Sequence, residues 1–383
     1  MLKLLRKFLP HPQYHHLNEV VLSRQAFAHN YHFFAQLQPN CAVAPVLKSN
    51  AYGHGLIEVA KISDNLHAPF LVVDSLHEAY QLSRQRIQTP ILIMGYTDPR
   101  NFGYKKLPFA TVVSSWEMIA YLAKHQPQMP LHLKIDTGMN RQGIKLSELP
   151  ALLTQLKTLP KLNLLGVCSH FADADNPSSL VFTHQQLRQF ESAVKMIQAA
   201  GFNPKWRHIA ATAGALKISS PVVNLIRLGI GFYGISPLST KDSGQAQLQK
   251  QLQPALQLES TIAQLKTVSE GEQIGYGLSF TALKKIKIAV LPIGYFDGVD
   301  RRLSNQGVVS IGTALCPIVG RMSMNMMTID VTNAGKVKVG DRVVIFSHDP
   351  QAPHSVWSIA HTIGTIPYEV LVHIAQSTHR RTV

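Results

Sequence analysis

"LLGVCSH" (residues 164–170), "QQLRQFESAVKMIQAAG" (185–201) and "WRHIA" (206–210) follow one another in the chain. The outer two are short apolar runs with the composition of buried strands. The middle one repeats Leu187, Phe190, Val194 and Ile197 at spacings of three and four and ends at Gly201, a helix with a stop signal. Working outward, the same alternation recurs around "AVAPVLK" (42–48), "FLVVD" (70–74), "ILIMG" (91–95), "ATVVSS" (110–115), "LHLKID" (131–136) and "NLIRLGIGFYG" (224–234). Eight strands with intervening helices predict an α/β fold, a (β/α)8 barrel of the TIM type. A doubly wound open sheet would share the alternation, but the count of eight favours the barrel.

Past residue 236 the pattern changes. "STKDSGQAQLQKQLQ" (239–253) is polar, a linker or surface helix. It precedes runs of period two with glycine-rich turns: "ALQLESTIAQLKTV", "KIKIAVLPIGY", "GVVSIGTALCPIVG", "MMTIDV" and "DRVVIFS". These predict a mainly antiparallel β domain. The expected units are a barrel over residues 12–242 and a β domain over 243–383. The strand near residues 16–22 is not needed for the count of eight and is free to join the second unit.

Composition excludes several classes. Thirty-seven Lys and Arg against 22 Asp and Glu give a net charge of +15, but the basic residues are scattered and no nucleic-acid-binding motif is present. Cys41, Cys168 and Cys316 are far apart and flanked by apolar residues, which suits reduced thiols better than disulfides or a metal site. No stretch approaches the ~20 apolar residues of a membrane span, and the start, "MLKLLRKFLPHPQ", lacks the unbroken apolar core of a signal peptide. A cytoplasmic protein with no metal is expected.

In a barrel, chemistry sits at the carboxyl ends of the strands, where Lys48, Lys134 with Asp136, His170, His208 and Arg227 fall. A buried ammonium without a partner is costly, so Lys48 needs an outlet to solvent or a chemical use. "NAYGHG" follows it and is expected to open a helix, with Tyr52 one turn on pointing toward the same mouth. A desolvated lysine amine is a nucleophile toward carbonyls, the requirement for a Schiff base.

"VLKSNAYGHG", "HLKIDTGMNRQG", "RLGIGFYG", "GYG", "LPIGYFDG", "GRMSMN" and "TIPYEV" occur in that order. Together they resemble the blocks of pyridoxal-phosphate-dependent alanine racemases, from about residue 17 to the C-terminus. The resemblance implies an isomerase interconverting L- and D-alanine, a peptidoglycan precursor, in a homodimer with shared active sites. Lys48 would carry the cofactor and act as one base. Tyr276 would reach the opposite face from the other subunit as the second, which suits a reaction that removes a proton from one side of Cα and returns it on the other. A phenol serves as a base near neutrality only where positive charge stabilises its anion.

The same resemblance places Arg141 at the cofactor phenolate and substrate carboxylate. It makes Lys134 a carbamate that orients Arg141; a plain salt bridge from Lys134 to Asp136 or another acid stays open. Arg227 would meet the pyridine nitrogen and keep it unprotonated, which favours shallow proton exchange over decarboxylation or transamination. His170 would pack on the ring, and His208 would buttress Arg227. Tyr52, Thr212, Tyr368 and the backbone of Gly229 and Ile230 would hold the phosphate. Met324 and Tyr295 would shape the substrate end. Ala211 and Asn325 depart from the family's asparagine and aspartate, leaving open a broader racemase acting on serine or larger amino acids. A barrel decarboxylase and a non-catalytic cofactor carrier are the remaining alternatives.

Overall fold

The structure, a computed structural model, describes residues 14–383 except 104–107, 160, 240 and 243. The expected start of the first unit, residue 12, and of the second, residue 243, lie outside the described residues. The chain's first described strand, β1 (Glu19–Leu22), precedes the barrel strands β2 (Ala42–Pro45), β3 (Leu71–Val73), β4 (Ile91–Ile93), β5 (Ala110–Val113) and β6 (Pro130–Asp136). A two-residue β7 (Ile144–Lys145) lies beside β6, and β8 (Asn163–Cys168), β9 (Trp206–His208) and β10 (Leu225–Leu228) follow.

Strands β3, β4, β5, β6, β8 and β9 pair in parallel in that order, and β10 pairs in parallel with β2. Two seams close the ring. Between β2 and β3 a bridge joins Val46 to Val72, with Leu47 N donating to Val72 O at 2.7 Å. Between β9 and β10, Asn224 N donates to Arg207 O and Arg227 N to Ala210 O. The eight strands read from the sequence are thus a closed barrel.

Burial explains the strands. Every residue of β3, β4, β5 and β10 is buried, as expected where both faces of a parallel sheet are covered. The helices pack outside with their apolar stripes inward. Val181–Ala199 buries Leu187, Phe190, Val194 and Ile197, and Gly201 beyond it has φ +93°. Ser75 and Glu78 form a reciprocal capping box at the start of Leu76–Ser83.

The second unit is built on a six-stranded sheet. Its order is Ala314–Pro317, Val308–Ile311, Arg342–Phe346, β11 (Leu256–Thr261), β1 and His379–Thr382. All neighbours are antiparallel except β1 and His379–Thr382, which run parallel. The run 255–268 divides into β11 and Gln264–Val268, the latter in an antiparallel three-stranded sheet with Ile286–Leu291 and Met327–Asp330. Two helices that period-two reading did not anticipate, Val356–Ile363 and Pro367–Val372, lie near the end.

Candidate active site

Lys48 leaves the end of β2, but the helix expected after it is not an ordinary one. Ser49, Asn50, Ala51 and Tyr52 all have φ between +51° and +56°, a full left-handed turn. For residues other than glycine this costs roughly 1–2 kcal/mol each, so the turn must be held from outside. Asn50 Oδ1 accepts from Leu56 N at 2.9 Å, and Gly53 O accepts from Arg380 Nη2 at 2.9 Å. At Gly53 (φ +80°) a Cβ would lie 1.9 Å from Leu371 O. The right-handed helix, Leu56–Ser63, begins only after Gly55.

The turn delivers Lys48 and Tyr52 into a cavity of about 960 Å3 at the barrel mouth, which Lys134, Arg141, His170, Ala211, Thr212, Arg227, Gly229, Ile230 and Tyr368 also line. The cavity therefore gathers most of the residues singled out in the sequence. Tyr368 comes from Pro367–Val372, so the second unit contributes to it as well. Thr212 Oγ1 accepts from Gly231 N at 3.2 Å, and a Cβ on Gly229 would lie 3.0 Å from Tyr52 Oη. The backbone N–H groups of Gly229 and Ile230 precede the first internal bond of the turn Ile230–Tyr233, Phe232 N to Gly229 O. Burial pushes the Tyr52 phenol up to about 12, with Asp74 adding to the effect, and burial raises Tyr368 too. Both phenols stay protonated and can donate.

Arg227 is 4% exposed and has no carboxylate partner among the described residues. Nη1 meets His208 Nδ1 at 2.6 Å and donates to His208 O. Nη2 donates to Ser169 O and Ile209 O and meets His170 Nδ1 at 3.0 Å. A guanidinium only donates, so both imidazoles accept here and are neutral. Burial, reinforced by Arg227, lowers His170 to about 2 and carries His208 well below its ordinary value. Both terminal nitrogens are engaged by protein, which leaves Nε as the donor available to the cavity.

Behind this pair lies a group the sequence reading missed. His208 Nε2 meets His132 Nδ1 at 2.7 Å, extending the relay to a fully buried ring. A Cβ on Gly166 of the adjacent strand would come within 2.3 Å of His132 Nδ1. The signal was the polar residue facing inward in "LHLKID" opposite a strand glycine.

Lys134 is 7% exposed, and its side chain has no hydrogen bond or ion pair among the described residues. Burial lowers its pKa, the Cys168 side chain opposing and Arg227 and Arg141 reinforcing the drop. The salt bridge to Asp136 left open in the sequence does not form. Asp136 Oδ1 instead accepts from Gly138 N and Asn140 N at 3.0 and 3.1 Å, shaping the loop that carries Arg141.

Tyr276, Met324 and Asn325 do not line this cavity. They lie exposed on the second unit, with Tyr276 69% exposed between the paired strands Gln273–Ile274 and Phe280–Thr281. Gly275 bridges Arg321, and Phe296 N donates to Met324 O at 2.9 Å, tying "GYG", "GRMSMN" and "LPIGYFDG" into one rim. Tyr295 lines a smaller cavity of about 420 Å3 that shares Glu369 with the first.

The donor set suits a ligand with an anionic phosphate at one end, a ring acceptor at the other and a carbonyl for an amine. Pyridoxal phosphate has those three features. Comparisons with known proteins agree with this chemistry. The family descriptions "Alanine racemase, N-terminal domain" and "Alanine racemase, C-terminal domain" match residues 22–237 and 255–382. An alanine racemase of Geobacter sp. (strain M21) is 36% identical over 94% of this chain and 97% of its own length. One from Lactobacillus acidophilus is 34% identical over 94% and 96%. Among solved structures, alanine racemase of Clostridium difficile 630 superposes with a TM-score of 0.88 at 28% identity over 97% of each chain. That of Bacillus anthracis with bound L-Ala-P gives 0.87 at 30% identity, covering 97% of this chain and 96% of that one.

Proposed function

The chain belongs to the alanine racemase family and interconverts L- and D-alanine with pyridoxal phosphate as cofactor; we propose that its two bases are Lys48 and Tyr276 of a second copy of the chain. When bound, the cofactor supplies a carbonyl that takes up an amine and a conjugated system that accepts the electron pair left by a departing Cα proton. The observation that carries the assignment is the division of the residues. One chain presents Lys48 in a donor-lined cavity, while its own Tyr276 stands exposed outside that cavity.

Tyr52, Thr212, Tyr368 and the N–H groups of Gly229 and Ile230 would hold the phosphate by donation, the two phenols kept protonated by burial. Arg227, whose Nε is left free by its protein contacts, would offer a donor to the ring nitrogen, and a guanidinium does not surrender its proton. Lys48 Nζ takes or returns the proton on one side of Cα, and Tyr276 Oη does so on the other. Arg141 pairs with the substrate carboxylate, and Met324, Asn325 and Tyr295 close the substrate end. Ala211 lines the cavity and bears on which side chains fit.

Lys134 is proposed to become a carbamate. Its lowered pKa increases the neutral amine that adds to carbon dioxide, forming an N–C bond and releasing one proton, and the resulting anion pairs with Arg141. The barrel and β units are proposed to divide near residue 242. The protein is proposed to act as a cytoplasmic homodimer; among the described residues no helix is long and apolar enough to cross a membrane.

The test is a panel of L-amino acids followed by optical rotation with added pyridoxal phosphate. Alanine should lose rotation fastest and release no carbon dioxide. Faster loss from serine, or gas release, would reassign the substrate or the reaction.

A further inference from the structure

We propose that Glu78 is a positioning residue for Lys48: its carboxylate fixes the backbone directly after the lysine and so aims the amine into the cavity. This rests on the assignment of Lys48 above and deepens it. At the seam between β2 and β3 a bridge joins Val46 to Val72 and Leu47 N donates to Val72 O. Beyond that point the two chains part, β2 into the left-handed turn and β3 into the helix Leu76–Ser83. Glu78 spans the gap. Oε2 accepts from Asp74 N at 2.9 Å and Ser75 N at 3.2 Å on one side, and Oε1 accepts from Ser49 N at 2.7 Å on the other.

A helix cap accounts for only half of this. The reciprocal cap with Ser75 uses Oε2, whereas the contact with Ser49 is made by the other oxygen, 29 residues away in sequence. Glu78 is 9% exposed and has no basic partner among the described residues, so its charge is balanced by backbone donors. Ser49 is the first of the four left-handed residues. Holding its N–H sets the direction in which the chain leaves Lys48, and a hydrogen bond to an ionised acceptor is stronger than a neutral one.

The experiment compares Glu78→Ala, Glu78→Gln and Ser75→Ala in the full-length enzyme, with Lys48→Ala as reference. Three quantities are read: the rate at which apoenzyme acquires the visible absorbance of bound pyridoxal phosphate, amide hydrogen exchange over residues 47–53 of the apoenzyme, and kcat with KM. Glu78→Ala should slow reconstitution about tenfold or more, speed exchange at 47–53, and lower kcat by roughly ten- to a hundredfold with KM within about threefold. Glu78→Gln keeps one oxygen for two sets of donors and should fall between Glu78→Ala and wild type, which preserves the test if the alanine variant does not fold. Ser75→Ala removes the hydroxyl cap and its 3.4 Å contact to Oε2 but leaves Oε1 on Ser49 N, and should leave kcat and exchange at 47–53 within about twofold of wild type.

Wild-type reconstitution and exchange in both Glu78 variants would overturn the proposal, as would a Ser75→Ala enzyme as impaired as Glu78→Ala. If Lys48→Ala is inactive while the Glu78 variants behave as wild type, only the positioning role fails. An active, coloured Lys48→Ala enzyme would remove the assignment of Lys48 itself.

Discussion

At the barrel mouth, Arg227 and Lys134 are almost wholly buried beside neutral histidines, whereas on the rim of the β unit Tyr276 and Met324 stand mostly exposed, with Leu278, Phe296 and Met326 around them. In the first region both terminal nitrogens of Arg227 already have their hydrogen-bond partners. The second presents aromatic and thioether groups to solvent, the surface that marks a docking face rather than a finished site. On the proposed assignment, holding the cofactor is a property of one chain and turnover a property of two.

Lys48→Ala should break the first region outright. It removes the amine proposed to hold the cofactor and to act as one base, and racemisation should fall by at least about 10^3-fold. Absorbance of the bound cofactor should vanish with it; colour retained at full rate would refute the assignment. Tyr276→Phe should leave that absorbance intact and lower the rate by roughly 10^2- to 10^3-fold, with solvent deuterium entering unequally from the two enantiomers. Mixing the two inactive variants sharpens the contrast. If subunits exchange, half of all dimers are mixed, each with one intact site, and roughly a quarter of the wild-type rate should return. No recovery under exchanging conditions would place both bases on the same chain.

Leu278→Glu charges the exposed rim and should weaken self-association by roughly ten- to a hundredfold. Sedimentation should show monomer at dilutions where wild type is dimeric, with cofactor uptake unchanged. The smallest effect near neutrality concerns acid. Burial holds His54 and His132 down to about 3, and His208 is displaced in the same direction. Once unfolded, these rings titrate near 6.5. Between about pH 6.5 and 3 the unfolded chain binds more protons than the folded one. Stability is full above 6.5 and is lost on acidification, by roughly 1.4 kcal/mol per pH unit for each ring. Melting temperatures at pH 7.5 and 5 check this, and equal values would mean that the rings are charged in the fold.

The barrel was legible because buried parallel strands leave unbroken runs such as "FLVVD" and "ILIMG", which local composition reports directly. Period two likewise gave the antiparallel sheets. The turn after Lys48 was not legible. "SNAY" has no bias that forces a positive φ, and its conformation comes from Asn50, Arg380, Leu371 and Glu78, of which three are distant in sequence. Lys48, Arg227 and His170 could be placed as strand-end polar groups from the residues alone, but Tyr276 came only through family resemblance, because no intrachain pattern marks a group proposed to work in another chain. Glu78 had a local signal, the spacing Ser-x-x-Glu, yet that spacing describes a helix cap and says nothing of Ser49.

The main-chain oxygen of Leu371 occupies the space where any side chain on Gly53 would stand. Two stretches more than three hundred residues apart are thereby interlocked like key and ward. Chimeras assembled from relatives should stay soluble and coloured only when both stretches are inherited from one parent, and libraries that randomise either end should diversify the other alongside it.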